Sequence, residues 1–306
     1  DRNVLQRYAD GVNAGRESLS ARPFEYLVLG VEPQPWLAED SMLVVYAMFV
    51  DLNDSRARKE VQRGYAHNVL PAEVYAWLYP QGTPWDAPIM GDARGVIAIP
   101  GADVFSLRDI EDVAPTTTEQ GRPALPGSNN WAVSGALTAN GRAMVSNDMH
   151  LGLNTPNIYY RARLIVDSDN AADNPALDVS GVTLPGAPFV IAGSNTRVAW
   201  GFTNSYGDYT DAVILQPGAA GGSYKTPDGD RAFDIRNEVI NVKGGDPVTY
   251  QVRETIWGPV LDDIEYPDGE IAVSWIAHKT EALNQNIIQL ETAGTLLEAL
   301  DIANTM

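Results

Sequence analysis

The hydrophobic period of this 306-residue chain changes once, and that change bounds what it can fold into. Over roughly the first hundred residues apolar side chains recur at helical spacing. Val4, Leu5, Tyr8, Ala9 and Val12 make an amphipathic helix that frays at Gly15. Glu39 to Leu52 is apolar nearly all round after an acidic first turn, as a buried helix would be. Ala57 to Ala66 and Ala72 to Leu78 continue the pattern, with Pro71 suited to the start of the latter. Beyond residue 128 the period falls towards two. Ala143 to Ser146, Ile158 to Val166, Phe189 to Ala192, Val198 to Thr203, Ala212 to Leu215, Glu238 to Val242, Val248 to Ile256 and Ile271 to Ile276 read as strands. A final helical pattern runs from Glu291 to Asn304. Many short strands with helices at both ends predict α+β architecture with mostly antiparallel sheet. The stretch 113–127, rich in Pro, Thr, Gly and charge, reads as a linker between a helical segment, 1–112, and a strand-rich one, 128–306.

Bulk properties narrow the chemistry. A formal charge of −19 with no Lys/Arg run argues against nucleic acid or an anionic membrane surface as partner. Zero cysteines exclude disulfides, thiolate catalysis and Cys-ligated metal. The longest apolar run, Met42 to Val50, is far short of the ~20 residues of a membrane span. The chain opens and closes inside helical patterns, as a trimmed product would.

The most chemically suggestive stretch is Gly127-Ser128-Asn129-Asn130-Trp131, followed by Asn147-Asp148-Met149-His150-Leu151. Scission of the Gly127–Ser128 bond would leave Ser128 as an N-terminal residue carrying both a hydroxyl and a free α-amine. Such an amine titrates near ~7.7–8.0, so it supplies the base that a lone serine lacks. These segments resemble the penicillin acylase family of N-terminal nucleophile hydrolases, which includes cephalosporin and acyl-homoserine-lactone acylases. Further matches follow in order: Trp36 to Asp40, Asp51-Leu52-Asn53-Asp54, Gly82 to Pro88, Gly193 to Asn204, Gly207 to Asp211 and Thr255 to Val260.

The resemblance implies a four-layer αββα sandwich with the nucleophile at a strand start. It implies an amide hydrolase that self-cleaves at Gly127–Ser128 into two chains, and then hydrolyses a small-molecule amide through an acyl-enzyme on Ser128. His150 matches the position that orients the serine and its amine. The backbone N–H of Asn204 matches an oxyanion donor, a second donor in relatives lying beyond the matched region. Leu151, Val190, Ile191 and Ala192 match the acyl-pocket lining. Asp208, Thr210 and Asp211, with Glu60 from the first segment, match a structural calcium site, as befits a cation that takes oxygen ligands. A periplasmic or secreted location belongs to the same expectation. Two other readings stand beside it. One is a Ser-His-Asp hydrolase using His67, His150 or His278, although no G-x-S-x-G elbow is present. The other is an inactive relative acting as a calcium-loaded binding domain.

Overall fold

The computed structural model describes residues 2–53, 57–88, 90–106, 108, 127–167, 176–205, 207–262, 264 and 266–306. It divides into two compact units. The first comprises Asp1–Asn53, Ala124–Gly207 and Lys279–Met306; the second Asp54–Pro123 and Asp208–His278. Each unit therefore combines residues from before and after the linker expected at 113–127, which apart from Gly127 lies outside the described residues.

In the first unit, α1 (Arg2–Glu17), α2 (Phe24–Leu29) and α3 (Asp40–Leu52) precede a two-stranded hairpin, β1 (Gly127–Val133) with β2 (Met144–His150). A four-stranded antiparallel sheet follows in sequence order: β3 (Tyr160–Val166), β4 (Leu177–Thr183), β5 (Val190–Ser194) and β6 (Ala199–Trp200). Its core joins Val179 and Val190, both fully buried, to Trp200 and Leu290, with Ile287, Ala299 and Ile302 packed against them. Helix α1 is fixed through Asn13, whose side chain both donates to Trp36 O and accepts from Trp36 N at 2.8 Å. Gly186 has φ 102°, and a Cβ there would lie 2.7 Å from Val44 and 3.2 Å from Trp36, so only glycine lets this turn close.

The expected helix from Glu291 resolves into two pieces. A 3₁₀ stretch, Asn286–Thr292, precedes α6 (Leu296–Ala303). The break is chemical: Thr295 and Glu298 form a capping box, which starts a new helix at Leu296. The strand expected over Val198 to Thr203 shrinks to Ala199–Trp200, for a reason given below.

The second unit carries α4 (Arg58–Val69), α5 (Ala72–Leu78), the antiparallel pair β7 (Thr210–Leu215) with β12 (Glu270–Trp275), and two hairpins. These are β8 (Ser223–Thr226) with β9 (Gly229–Ala232), and β10 (Asp234–Ile240) with β11 (Val248–Glu254). Leu215, Tyr224, Val260 and Ala272 form its core, with Phe233 and Trp257 packed against them. Arg253 pairs with both Asp262 and Glu270 at 2.7 Å. All the strand ladders described are antiparallel, so the fold class is α+β, as the period change predicts. Among the described residues no helix is long and apolar enough to cross a membrane.

Candidate active site

Ser128 lies at the second position of β1, directly opposite Met149 of β2. Residues opposite each other in an antiparallel ladder project to the same face, and faces alternate along a strand. One face of the hairpin therefore carries Ser128 and Met149, Asn130 and Asn147, Ala132 and Val145. Val145, Asn147 and Met149 line a cavity of about 350 Å³ whose other wall is the four-stranded sheet, including Arg161, Ser180, Ala192, Ser194 and Trp200. The nucleophile expected from the sequence thus belongs to the face that borders the cavity. Its hydroxyl is half-buried and donates to Gly127 O at 2.7 Å, the carbonyl of the peptide bond expected to break.

His150 and Asp148 occupy the opposite face. The imidazole Nε2 is 2.9 Å from Asp148 Oδ2, and both side chains are about half exposed. The ladder brings His150 beside Gly127 through the backbone, not its imidazole to the Ser128 hydroxyl.

Asn204 follows β6 in an irregular segment, its backbone free of strand pairing and its side chain donating to Leu52 O at 3.2 Å. The segment is held at its other end by Asn147, which was part of the quoted motif but had no role assigned. Asn147 Nδ2 donates to Phe202 O at 2.9 Å, and Asn147 Oδ1 accepts from Phe202 N at 3.1 Å. The side-chain amide takes over the two bonds that a neighbouring strand would make, so β6 stops at Trp200.

Of the residues matched to the acyl pocket, Ala192 lines the cavity. Val190 is fully buried in the core, and its carbonyl accepts from Trp200 Nε1 at 3.1 Å. Ile191 sits at a register shift between β4 and β5 and is half-buried. Leu151, just past β2, is also half-buried.

Asn195 and Glu291 are buried polar residues to which the sequence analysis gives no role. Asn195 accepts from Arg197 N and Val198 N and donates to the carbonyls of Leu290, Glu291 and Ala293. Glu291 accepts from Val190 N at 2.9 Å, and burial pushes its carboxyl above the ordinary range.

The residues matched to calcium lie in the second unit. Glu60 of α4 accepts from Ala212 N at 2.6 Å, beside Asp208, with which it lines a cavity of about 420 Å³. Burial, then the like charges of Asp211 and Asp208, raise the Glu60 carboxyl above its usual value. Asp208 and Asp211 are exposed and Thr210 is buried. Three converging carboxylates suit a hard cation in kind. Among the described residues, though, no three acidic or histidine side chains close into a group ready to hold a metal ion.

The penicillin amidase family model matches residues 1–306, the whole chain. The chain belongs to the penicillin amidase family. The helices and antiparallel sheets described make the chain α+β, as expected for it. Among curated relatives, acyl-homoserine lactone acylase QuiP of Pseudomonas aeruginosa is 28% identical over 270 residues, covering 83% of this chain and 29% of that protein. Penicillin acylase 2 proenzyme of Pseudomonas sp. (strain SE83) is 27% identical over 272 residues, covering 85% of this chain and 33% of the relative. Penicillin G acylase of Escherichia coli is 23% identical over 310 residues, covering 85% and 36%. A solved thermostable penicillin G acylase from Alcaligenes faecalis aligns with TM-score 0.40 and 23% identity, over 51% of this chain and 27% of that one. The chain thus spans about a third of the length of the curated relatives it matches.

Proposed function

We propose that the protein to which this chain belongs is an amide hydrolase that releases an acyl group from an amine, with Ser128 as nucleophile after scission of its own N-terminal peptide bond. The observation that carries this is the Ser128 hydroxyl, hydrogen-bonded to the Gly127 carbonyl on the strand face that borders a cavity. In the scission, Ser128 Oγ attacks the Gly127 carbonyl carbon and the C–N bond breaks. An ester and a free α-amine result. Water then hydrolyses the ester, leaving the Gly127 carboxylate and a terminal Ser128, and with them a protein of two chains.

In turnover the α-amine accepts the Oγ proton, through a water in the family's pattern, while Oγ attacks the substrate carbonyl. The tetrahedral oxyanion takes a hydrogen bond from Asn204 N–H. A preorganised donor of this kind contributes on the order of 3 kcal/mol. Collapse passes the proton to the leaving amine, and water then frees the acid from Ser128. His150 supports the strand start through its place beside Gly127. Leu151, Ile191 and Ala192 bound the acyl group, with Val190 behind them. The substrate class is penicillin or N-acyl-homoserine-lactone amides, as named for the relatives, with the cephalosporin amides that the wider resemblance adds. The calcium site, with Glu60, Asp208, Thr210 and Asp211 as ligands, belongs to the same proposal and is structural; no step runs through it.

The test uses the full-length protein against a panel of these amides. Ser128→Ala is expected to leave no turnover above background and a single uncut chain. Turnover by that variant at a tenth or more of the wild-type rate would exclude Ser128 as nucleophile.

A further inference from the structure

We infer that Asn147 is a positioning residue, a side-chain latch that holds residues 201–204 at a fixed place relative to the nucleophile strand; this rests on the proposed role of Ser128. Three observations converge on it. The Asn147 amide makes both hydrogen bonds that the Phe202 backbone offers, 2.9 Å from Nδ2 to the carbonyl and 3.1 Å from the N–H to Oδ1. Two bonds from one planar amide fix the orientation of the peptide as well as its distance.

Residue 201 is shaped to admit the latch. A Cβ there would stand 2.8 Å from Asn147 Oδ1 and 2.9 Å from its Cβ, so only glycine allows the approach. The far end of the same segment is tied down by Asn204, whose side chain donates to Leu52 O. The segment is therefore pinned at residues 202 and 204, with the oxyanion donor on the second pin.

On β2, Asn147 lies two residues from Met149, the partner of Ser128, and on the same face. The latch thus transmits the position of the nucleophile strand to the N–H group meant to face the developing negative charge. A shift of about 1 Å in such a donor is enough to cost on the order of 10²-fold in rate.

The test compares full-length wild type with Asn147→Ala and Asn147→Asp, with rates expressed per cleaved chain so that scission and turnover are read separately. Asn147→Ala should lower kcat on the order of 10²-fold and leave KM within about threefold, because the loss falls on the transition state. Asn147→Asp supplies a signature that a packing role would not. Ionised, its carboxylate accepts from Phe202 N but repels Phe202 O; protonated, it restores both bonds. Its rate relative to wild type should therefore rise at least tenfold between pH 8 and pH 5.

Other groups titrate nearby: Asp148 and His150 on β2 itself, while Arg161 adds a fixed charge across the cavity. They are common to both proteins, so their own titrations divide out of the ratio apart from the shift that a charge at 147 imposes on them, which high salt screens. A ratio flat with pH, or a wild-type kcat in Asn147→Ala, overturns the latch. If Asn147→Ala fails to fold, the isosteric Asn147→Asp decides alone. Wild-type-like variants whose turnover still requires Ser128 would sink only the latch. Turnover that persists in Ser128→Ala would sink the nucleophile assignment beneath it.

Discussion

Glu291 shows how a single residue's burial becomes a pH dependence. The side chain is 7% exposed, and its one described hydrogen bond comes from Val190 N–H. Burial raises its carboxyl above the ordinary value and the N–H only partly offsets this. The folded state therefore holds the proton more tightly than the unfolded chain. The stability it adds is fully present below the unfolded value, near ~4.3, and is lost as pH rises through the folded one. Glu291→Gln keeps the acceptor without the charge, so thermal melts should show it at least as stable as wild type at pH 7, with a shallower loss between pH 4 and 7. Equal pH slopes would remove the carboxyl from the account. Glu291 was not legible in the sequence, because the Val190 N–H it accepts from lies 101 residues away and leaves no local pattern. Asn195 stands in the segment Gly193 to Asn204, but its bonds to the carbonyls of Leu290, Glu291 and Ala293, 95 to 98 residues away, were equally unreadable. Ser128, His150 and Asn204 drew the sequence reading because each sits in a contiguous motif, and their roles rest on that motif.

Elements were read well where one face is apolar and poorly where side chains replace the ladder. The periods of α1, β3, β7 and β12 give their places to within a few residues. The strand expected over Val198 to Thr203 is cut short because Asn147 satisfies the Phe202 backbone, and no alternation pattern encodes a side chain from another hairpin. Hairpin β8–β9 was missed because its residues alternate too little. Within the second unit, the turn from Thr255 to Gly258 joins β11 to residues 259–261, which hydrogen-bond to β12. Thr255 Oγ1 accepts from Gly258 N, and Val273 N donates to Pro259 O. Gly258 has φ 147°, and a Cβ there would run into Val273 O and come within 3.2 Å of His278 Nδ1. Gly258→Ala should cost roughly 2–4 kcal/mol in a urea melt, from strain and close contact together. Gly221→Ala, where a Cβ meets nothing within 4 Å, should change stability by less than about 0.5 kcal/mol. Equal effects at the two sites would mean that the turn is looser than described.

For the whole molecule, charge and processing are the properties at issue. A formal charge of −19 favours divalent cations in general, and the proposed calcium site would draw on Glu60, Asp208 and Asp211, whose charges already act on one another. Calcium at a hundred times its Kd would add about 2.7 kcal/mol of stability. Full-length protein should melt several degrees higher in calcium than in chelator, and Glu60→Gln with Asp208→Asn should abolish the difference. A melting temperature indifferent to calcium would remove the metal from the scheme. The compact units each combine residues from before and after the stretch 113–127, helices from the early sequence with strands from the later. Period alone cannot report such pairings. The central claim concerns one covalent bond, and N-terminal sequencing with intact mass on active full-length protein reads it directly. Active protein should contain a chain beginning Ser128-Asn129-Asn130-Trp131, and blocking that new amine should stop turnover. Full activity in a preparation whose residues 127 and 128 remain joined would contradict the account.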